Sequence, residues 1–359
     1  MDNRVNHPSL SPTDHMAGAA VLGLLLTVYW FTASLTFISG DELFLYDTSE
    51  SFARRGSVMR NETADLDWPG HTYVEPMQPL LSVPIFWIAD SIDRVGNAHA
   101  TLLLNLFVTS TTAWVLFIYV RRMSYSRVVA VTVALLYGLT TIAWPYSKTY
   151  FREPLGGLAL FVSGYCLLRW RQSLDDVVPL PHRWLSLAFI GGTVSILTKE
   201  SGVVGIPMLL LVMLIGGKRL PYRRSEWLRM SLMVSVMCGV AFIGLYLYTR
   251  VLGAAVFRFN PIAQMSQAYV SFSHSGLMRE GIVGLLLSPG KGVFWHSPIF
   301  LLALAAPWIT RKRRLQTSWP IILLLTFVIV YTLVREYMWF GGTNWGPRYL
   351  VPVTPFLMV

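Results

Sequence analysis

The chain has 359 residues, of which 54% are hydrophobic and only 13% charged, and the charges come in clusters separated by long neutral runs. That pattern excludes a soluble globular fold, whose surface needs charge interspersed throughout. The net charge of +10 does not call for a nucleic-acid partner, because the basic residues crowd the ends of apolar runs, where the positive-inside bias of membrane proteins accounts for them.

Taken in chain order, a polar tail to about His15 precedes the first neutral run, Met16 to Gly40. Val95 to Val120, Val128 to Ser147, Met230 to Thr249, Gly292 to Thr310 and Leu315 to Val334 likewise carry no Asp, Glu, Lys or Arg. Each approaches or exceeds the about 20 residues that cross a bilayer. Pro154 to Leu168, Trp184 to Thr198 and Ser201 to Gly217 are shorter, at about 15 to 17 residues, and span by snorkelling their flanking Arg and Lys. Pro79 to Ala89 is apolar but short and contains Pro79 and Pro84, so it reads as a juxtamembrane or re-entrant helix. With it lying flat, the clusters Arg121/Arg122/Arg127, Arg169/Arg171/Arg183, Lys218/Arg219/Arg223/Arg224/Arg229 and Arg311/Lys312/Arg313/Arg314 share the cytoplasmic side. Cys166 and Cys238 lie inside apolar runs, where a thiol acts as a small hydrophobe, and give neither a disulfide framework nor a Cys metal site.

The opposite, outer side then receives residues 41–94 as a first extracytoplasmic loop, the loop Trp144 to Glu153, the Lys199-Glu200 turn, Arg250 to Lys291, and Arg335 to Arg348. Paired charges gather there at helix ends: Arg152-Glu153, Lys199-Glu200, Arg279-Glu280 and Arg335-Glu336. Charges at a membrane border are costly unless paired or lining a wet cavity, so their convergence implies a polar cavity opening outward. Ordinary interfacial anchoring is the plainer alternative.

Asp41 and Glu42 follow the first span directly, where a carboxylate can act as general base toward an acceptor hydroxyl or amine. Glu153 precedes Pro154, a residue suited to the first turn of a helix, and is itself favoured at that helix N-terminus. Ser288-Pro289-Gly290-Lys291-Gly292 lacks nucleotide-loop spacing, although Lys291 and nearby N–H groups could contact a phosphate. Arg348, within Trp339-Phe340-Gly341-Gly342-Thr343-Asn344-Trp345-Gly346-Pro347-Arg348-Tyr349-Leu350, offers a guanidinium for bidentate phosphate binding at the interface. Asn61-Glu62-Thr63 fits a glycosylation sequon.

In their order and common side, Asp41-Glu42, Glu75-Pro76-Met77-Gln78-Pro79-Leu80, Arg152-Glu153-Pro154, Lys199-Glu200, Ser288 to Gly292 and Trp345 to Leu350 resemble the GT-C superfamily of membrane glycosyltransferases. The resemblance is to the branch of protein O-mannosyltransferases and lipid A aminoarabinose transferases, and it covers most of the chain. It implies an all-α polytopic membrane protein: one GT-C-like domain over residues 1–359, a bundle of about ten transmembrane helices with juxtamembrane helices in the outer first loop. Residues 349–359 then begin a further span, beyond which relatives usually continue, so the chain reads as truncated or divergent. The implied donor is a polyprenyl-phosphate-linked sugar, the acceptor a lipid, glycan or protein outside the cell membrane, and the outcome inversion. Asp41 would be the base, with Glu42 assisting and Glu153 as second acid. Arg348, with Lys199, Lys291 and Arg152, would bind the donor phosphate. No cofactor is required by the resemblance. No acid and His cluster predicts a metal, although Asp41 and Glu153 could offer oxygens to Mg²⁺ or Mn²⁺, as related oligosaccharyltransferases do. A transporter or flippase of lipid-linked sugars is the rival class. It lacks support from an inverted repeat or from matching broken helices in two halves. A scaffold without chemistry would be indifferent to loss of Asp41 and Arg348.

Overall fold

The computed structural model describes residues 10–58, 72–175, 181–215, 224–253, 275–310, 314–335 and 338–359, and every regular element among them is helical. The sequon Asn61-Glu62-Thr63, Lys218, Arg219 and Arg223, Arg311 to Arg313, and Glu336 lie outside the described residues.

Helix α1 (Pro12–Thr32) starts on a capping box in which Ser11 and Asp14 exchange hydrogen bonds, with Pro12 at its first position. It stops at Thr32, so the run expected to stay helical to Gly40 instead bends into α2 (Gly40–Arg55), capped by Ser39 through a bond to the Asp41 N–H. The acids Asp41 and Glu42 occupy the first turn of α2 and the bases Arg54 and Arg55 its last, the arrangement the helix dipole favours. Helix α3 (Met77–Asp90) packs along α2, so the apolar 79–89 run is a helix laid against its neighbour in the first loop.

The short α4 (Asn97–Leu102) runs into α5 (Leu104–Arg122), which packs against both α1 and α6 (Arg127–Thr140). The expected span Val128 to Ser147 ends early: Thr141 is extended, the Thr141 hydroxyl donates to Tyr137 O at 2.6 Å, and a short α7 (Ala143–Ser147) turns away. Helix α8 (Glu153–Asp175) begins where Pro154 predicts it and continues beyond the expected span. It makes the most extensive helix pair with α9 (Pro181–Thr198); α10 (Gly202–Ile215) and α11 (Arg224–Val251) complete this side of the bundle.

Next come α12 (Ser275–Leu287) and the short α13 (Val293–His296), then α14 (Leu301–Ile309) and α15 (Arg314–Arg335). The run Gly292 to Thr310 is therefore a broken element rather than one continuous span. Pro298 has no N–H to extend α13, and Ser297 leaves helical geometry at φ −150°, ψ 68°. A 3₁₀ segment, Arg348–Val353, leads into the single turn α16 (Thr354–Leu357), and both are buried against α8 and α15.

Among the described residues, three helical stretches, Pro12–Thr32, Asn97–Arg122 and Leu228–Val251, are long and apolar enough to cross a membrane, and Arg127–Thr140, Arg183–Thr198, Pro298–Ile309 and Ser318–Val334 are shorter apolar helices. On α11, Leu228, Leu232, Val236, Val240, Phe242 and Leu247 are exposed, a surface suited to hydrocarbon rather than water. The bundle has two unlike ends. At one, buried Asp14 binds Arg121 at 3.0 Å and Arg127 at 2.9 Å, pinning the start of α1 between α5 and α6. At the other meet the start of α2, the 141–153 loop, the α9–α10 turn and the 341–353 segment.

Candidate active site

The loop 148–152 is fixed first, since it carries Arg152 and leads into Glu153. Asn105 at the start of α5 donates to Thr149 O at 2.7 Å and Phe151 O at 2.8 Å, and Gln78 of α3 donates to Tyr150 O at 2.7 Å. The Tyr150 hydroxyl shares hydrogen bonds with Ser49 at 2.8 Å and Ser82 at 2.5 Å, joining α2 to α3. Glu42 is fully buried and accepts from the backbone N–H of Tyr150 at 2.6 Å and of Ile38 at 2.8 Å. Burial pushes its carboxyl above the usual range, opposed by those N–H donors. Both Glu42 oxygens are thus engaged, Oε1 with the loop and Oε2 with the segment before α2, while Asp41, one residue earlier, has a half-exposed side chain.

Arg348 joins the acids. Its Nη1 donates to Asp41 Oδ2 at 2.6 Å, and its Nε lies 3.2 Å from Glu153 Oε1, too poorly aligned for a hydrogen bond. Glu153 Oε1 also takes the Lys199 ammonium, so two cations from distant parts of the chain share one buried carboxylate. Lys199 lies 4.6 Å from the ring of Tyr349, which stacks on Tyr331 with centroids 4.2 Å apart. Burial lowers the Lys199 pKa to about 7, against the pull of Glu153. Burial also disfavours the Arg348 charge, but Glu153, Tyr349 and Asp41 outweigh it and hold its pKa above the ordinary arginine value.

Arg152 and Glu153, adjacent in sequence, take different ion-pair partners. Arg152 forms its ion pair with Glu75, and Glu75 also accepts from the Glu200 N–H at 3.0 Å, tying the α9–α10 turn to the loop before α3. Glu75 belongs to the family-like motif without a predicted role of its own, since a carboxylate near two prolines carries no local signal of its partner, Arg152. Arg279 and Glu280 are exposed on α12, outside the cluster.

Lys291 turns its ammonium to the carbonyls of Gly342, at 2.8 Å, and Asn344, and its own N–H donates to Ser288 at 3.0 Å. It therefore braces the loop that carries Arg348. Trp345 of that loop is fixed by the Tyr146 hydroxyl, which donates to its carbonyl at 2.7 Å, and by the edge of His296, with centroids 4.5 Å apart. Gly346, at φ +62°, makes the left-handed turn that brings the backbone against His296. Among the described residues no group of three or more His, Cys, Asp or Glu could hold a metal. Asp41 and Glu153 both face the Arg348 guanidinium, Asp41 through Nη1 and Glu153 on the Nε side.

No family model and no curated protein matches the sequence, whereas solved structures match along nearly the whole chain. ArnT, an aminoarabinose transferase, from Cupriavidus metallidurans bound to undecaprenyl phosphate is similar with a TM-score of 0.66 at 16% identity, over 97% of this chain and 59% of that one. Its apo state gives 0.60 at 17%, over 96% and 58%. The oligosaccharyltransferase AglB from Archaeoglobus fulgidus, in complex with an inhibitory peptide and a dolichol-phosphate, gives 0.59 at 11%, over 97% and 50%. Both are GT-C proteins.

The chain has the GT-C fold.

It spans 59% and 50% of the lengths of these two relatives. Within this GT-C fold, Asp41, Glu153, Lys199 and Arg348 form one ion-pair cluster, Arg152 and Glu75 a second pair beside it, and Glu42 and Lys291 brace the backbone that carries them.

Proposed function

We propose that this protein is an inverting glycosyltransferase that moves a sugar from a polyprenyl-phosphate carrier to a lipid, glycan or protein acceptor on the extracytoplasmic face of the cell membrane. The observation that carries the reading is the half-exposed Asp41 carboxylate bonded to an almost buried Arg348, itself backed by Glu153 and Lys199. About ten helices would span the bilayer, with α2 and α3 lying along its outer border.

Asp41 accepts the proton of an acceptor hydroxyl or amine as that atom attacks the anomeric carbon. The bond from that carbon to the phosphate oxygen breaks, its electron pair passes to the leaving phosphate, and attack opposite to departure inverts the centre. The growing phosphate charge meets Arg348, supported by Lys199; in a water-poor site such stabilisation is worth several kcal/mol. Arg152 adds positive potential while bound to Glu75.

The test is transfer of labelled sugar from a polyprenyl-phosphate donor in proteoliposomes, with the products resolved by mass spectrometry. Wild type yields glycosylated acceptor and free polyprenyl phosphate, and Arg348→Ala yields neither. Transport of the donor lipid with no sugar transferred to any acceptor class would sink the proposal.

A further inference from the structure

The four cations near the site differ in what else holds them. Lys291 is bound to loop carbonyls, Arg152 to Glu75 and Lys199 to Glu153. Glu75 and Glu153 are 5% and 3% exposed at the side chain, so neither can leave its partner without stranding a buried charge. Arg348 is placed differently. Phe151 and Tyr349 have ring centroids 4.7 Å and 5.2 Å from its guanidinium carbon, Glu153 lies on its Nε side, and Nη1 points to Asp41. The Asp41 side chain is 50% exposed, so of the two acids on Arg348 it alone can swing into water at little cost.

Formal charge makes that difference matter. Within the ion-pair cluster Asp41 and Glu153 balance Arg348 and Lys199, and the further cation, Lys291, has its ammonium turned to the loop carbonyls of Gly342 and Asn344. A phosphodiester added to an unchanged cluster would leave one uncompensated negative charge against buried groups.

Building on the glycosyltransferase reading, we propose that Asp41 is a placeholder on Arg348: the donor phosphate takes the Nη1 edge of the guanidinium and displaces the Asp41 carboxylate. While bound to Arg348, Asp41 has its Oδ2 occupied by the Nη1 hydrogen bond. Once displaced, it faces the acceptor side as a free carboxylate. Binding is then ordered, with donor first and acceptor activation second, and the acceptor meets a competent base only when a sugar is in place.

The experiment measures binding of undecaprenyl phosphate to the full chain in nanodiscs, with undecaprenol as the phosphate-free control. Asp41→Asn and Asp41→Ser, each checked for folding by its melting curve, should bind undecaprenyl phosphate roughly 3- to 10-fold more tightly than wild type, with undecaprenol unaffected. Equal or weaker binding by the folded variants overturns the placeholder while leaving the donor reading intact. Failure of wild type and both variants to bind the lipid phosphate overturns both.

Discussion

Asp41 and Glu153 approach the same guanidinium from opposite surroundings, and this assigns them different work. Asp41→Asn removes the proposed base but keeps a polar group at the exposed start of α2, so transfer should fall by roughly 10²- to 10⁴-fold with little change in melting temperature. Glu153→Gln leaves Lys199 and Arg348 facing one another without their shared acid. It should cost about 3–5 kcal/mol of stability, read by thermal unfolding in detergent. Lys199 supplies a pH test. Its pKa, lowered by burial to about 7, leaves it charged below that pH and neutral above it. Neutral Lys199 removes one positive charge from the cluster, so affinity for undecaprenyl phosphate should weaken as pH rises through about 7. Lys199→Arg, charged throughout, should bind with a flat profile over that range, and an unchanged wild-type slope in the variant would exclude Lys199 as its source.

At the scale of elements, the site depends on close approach between segments far apart in the chain. A Cβ on Gly157 would lie 2.9 Å from Pro352 Cα, so the first turn of α8 accepts the 3₁₀ segment carrying Arg348 only because that side chain is missing. Gly157→Ala should cost on the order of 1–3 kcal/mol and reduce transfer, because Arg348 would be pushed away from Glu153. The Arg152–Glu75 pair gives a second test, since Glu75 also receives the Glu200 N–H. Glu75→Gln alone should destabilise by about 3–5 kcal/mol, and Glu75→Gln combined with Arg152→Met should recover much of the loss, as replacement of both members of a buried pair does. Differential scanning fluorimetry of the two variants separates the cases. The sequence made helices legible in neutral runs such as those of α5 and α11, while the first run, Met16 to Gly40, overshoots the end of α1 at Thr32. It misled where a proline or a local hydroxyl bond stopped the backbone: Pro298 breaks the Gly292 to Thr310 run, and Thr141 ends α6.

For the whole molecule, the two ends make opposite demands. The basic end is pinned by Asp14 between Arg121 and Arg127, and the acid-rich end carries the proposed site. In a Cys238→Ala background, an impermeant maleimide applied from outside intact cells should label Asp93→Cys and spare Tyr125→Cys; the reverse pattern would turn the protein over and remove the proposed outer-face chemistry. The sequence by itself determined the membrane environment, the helical class and the end at which charge collects, because hydrocarbon thickness and the cost of burying charge act on runs of residues that can be read locally. It also picked out Asp41, Glu153, Lys199 and Arg348. Only the tertiary structure decided that these four form one cluster while Arg152 turns to Glu75, Glu42 to backbone N–H groups and Lys291 to loop carbonyls. Ion-pair partners are chosen by distance and burial in three dimensions, and the bonds that join Asp41 to Arg348 and Lys199 to Glu153 close over 307 and 46 residues of chain, beyond any local pattern.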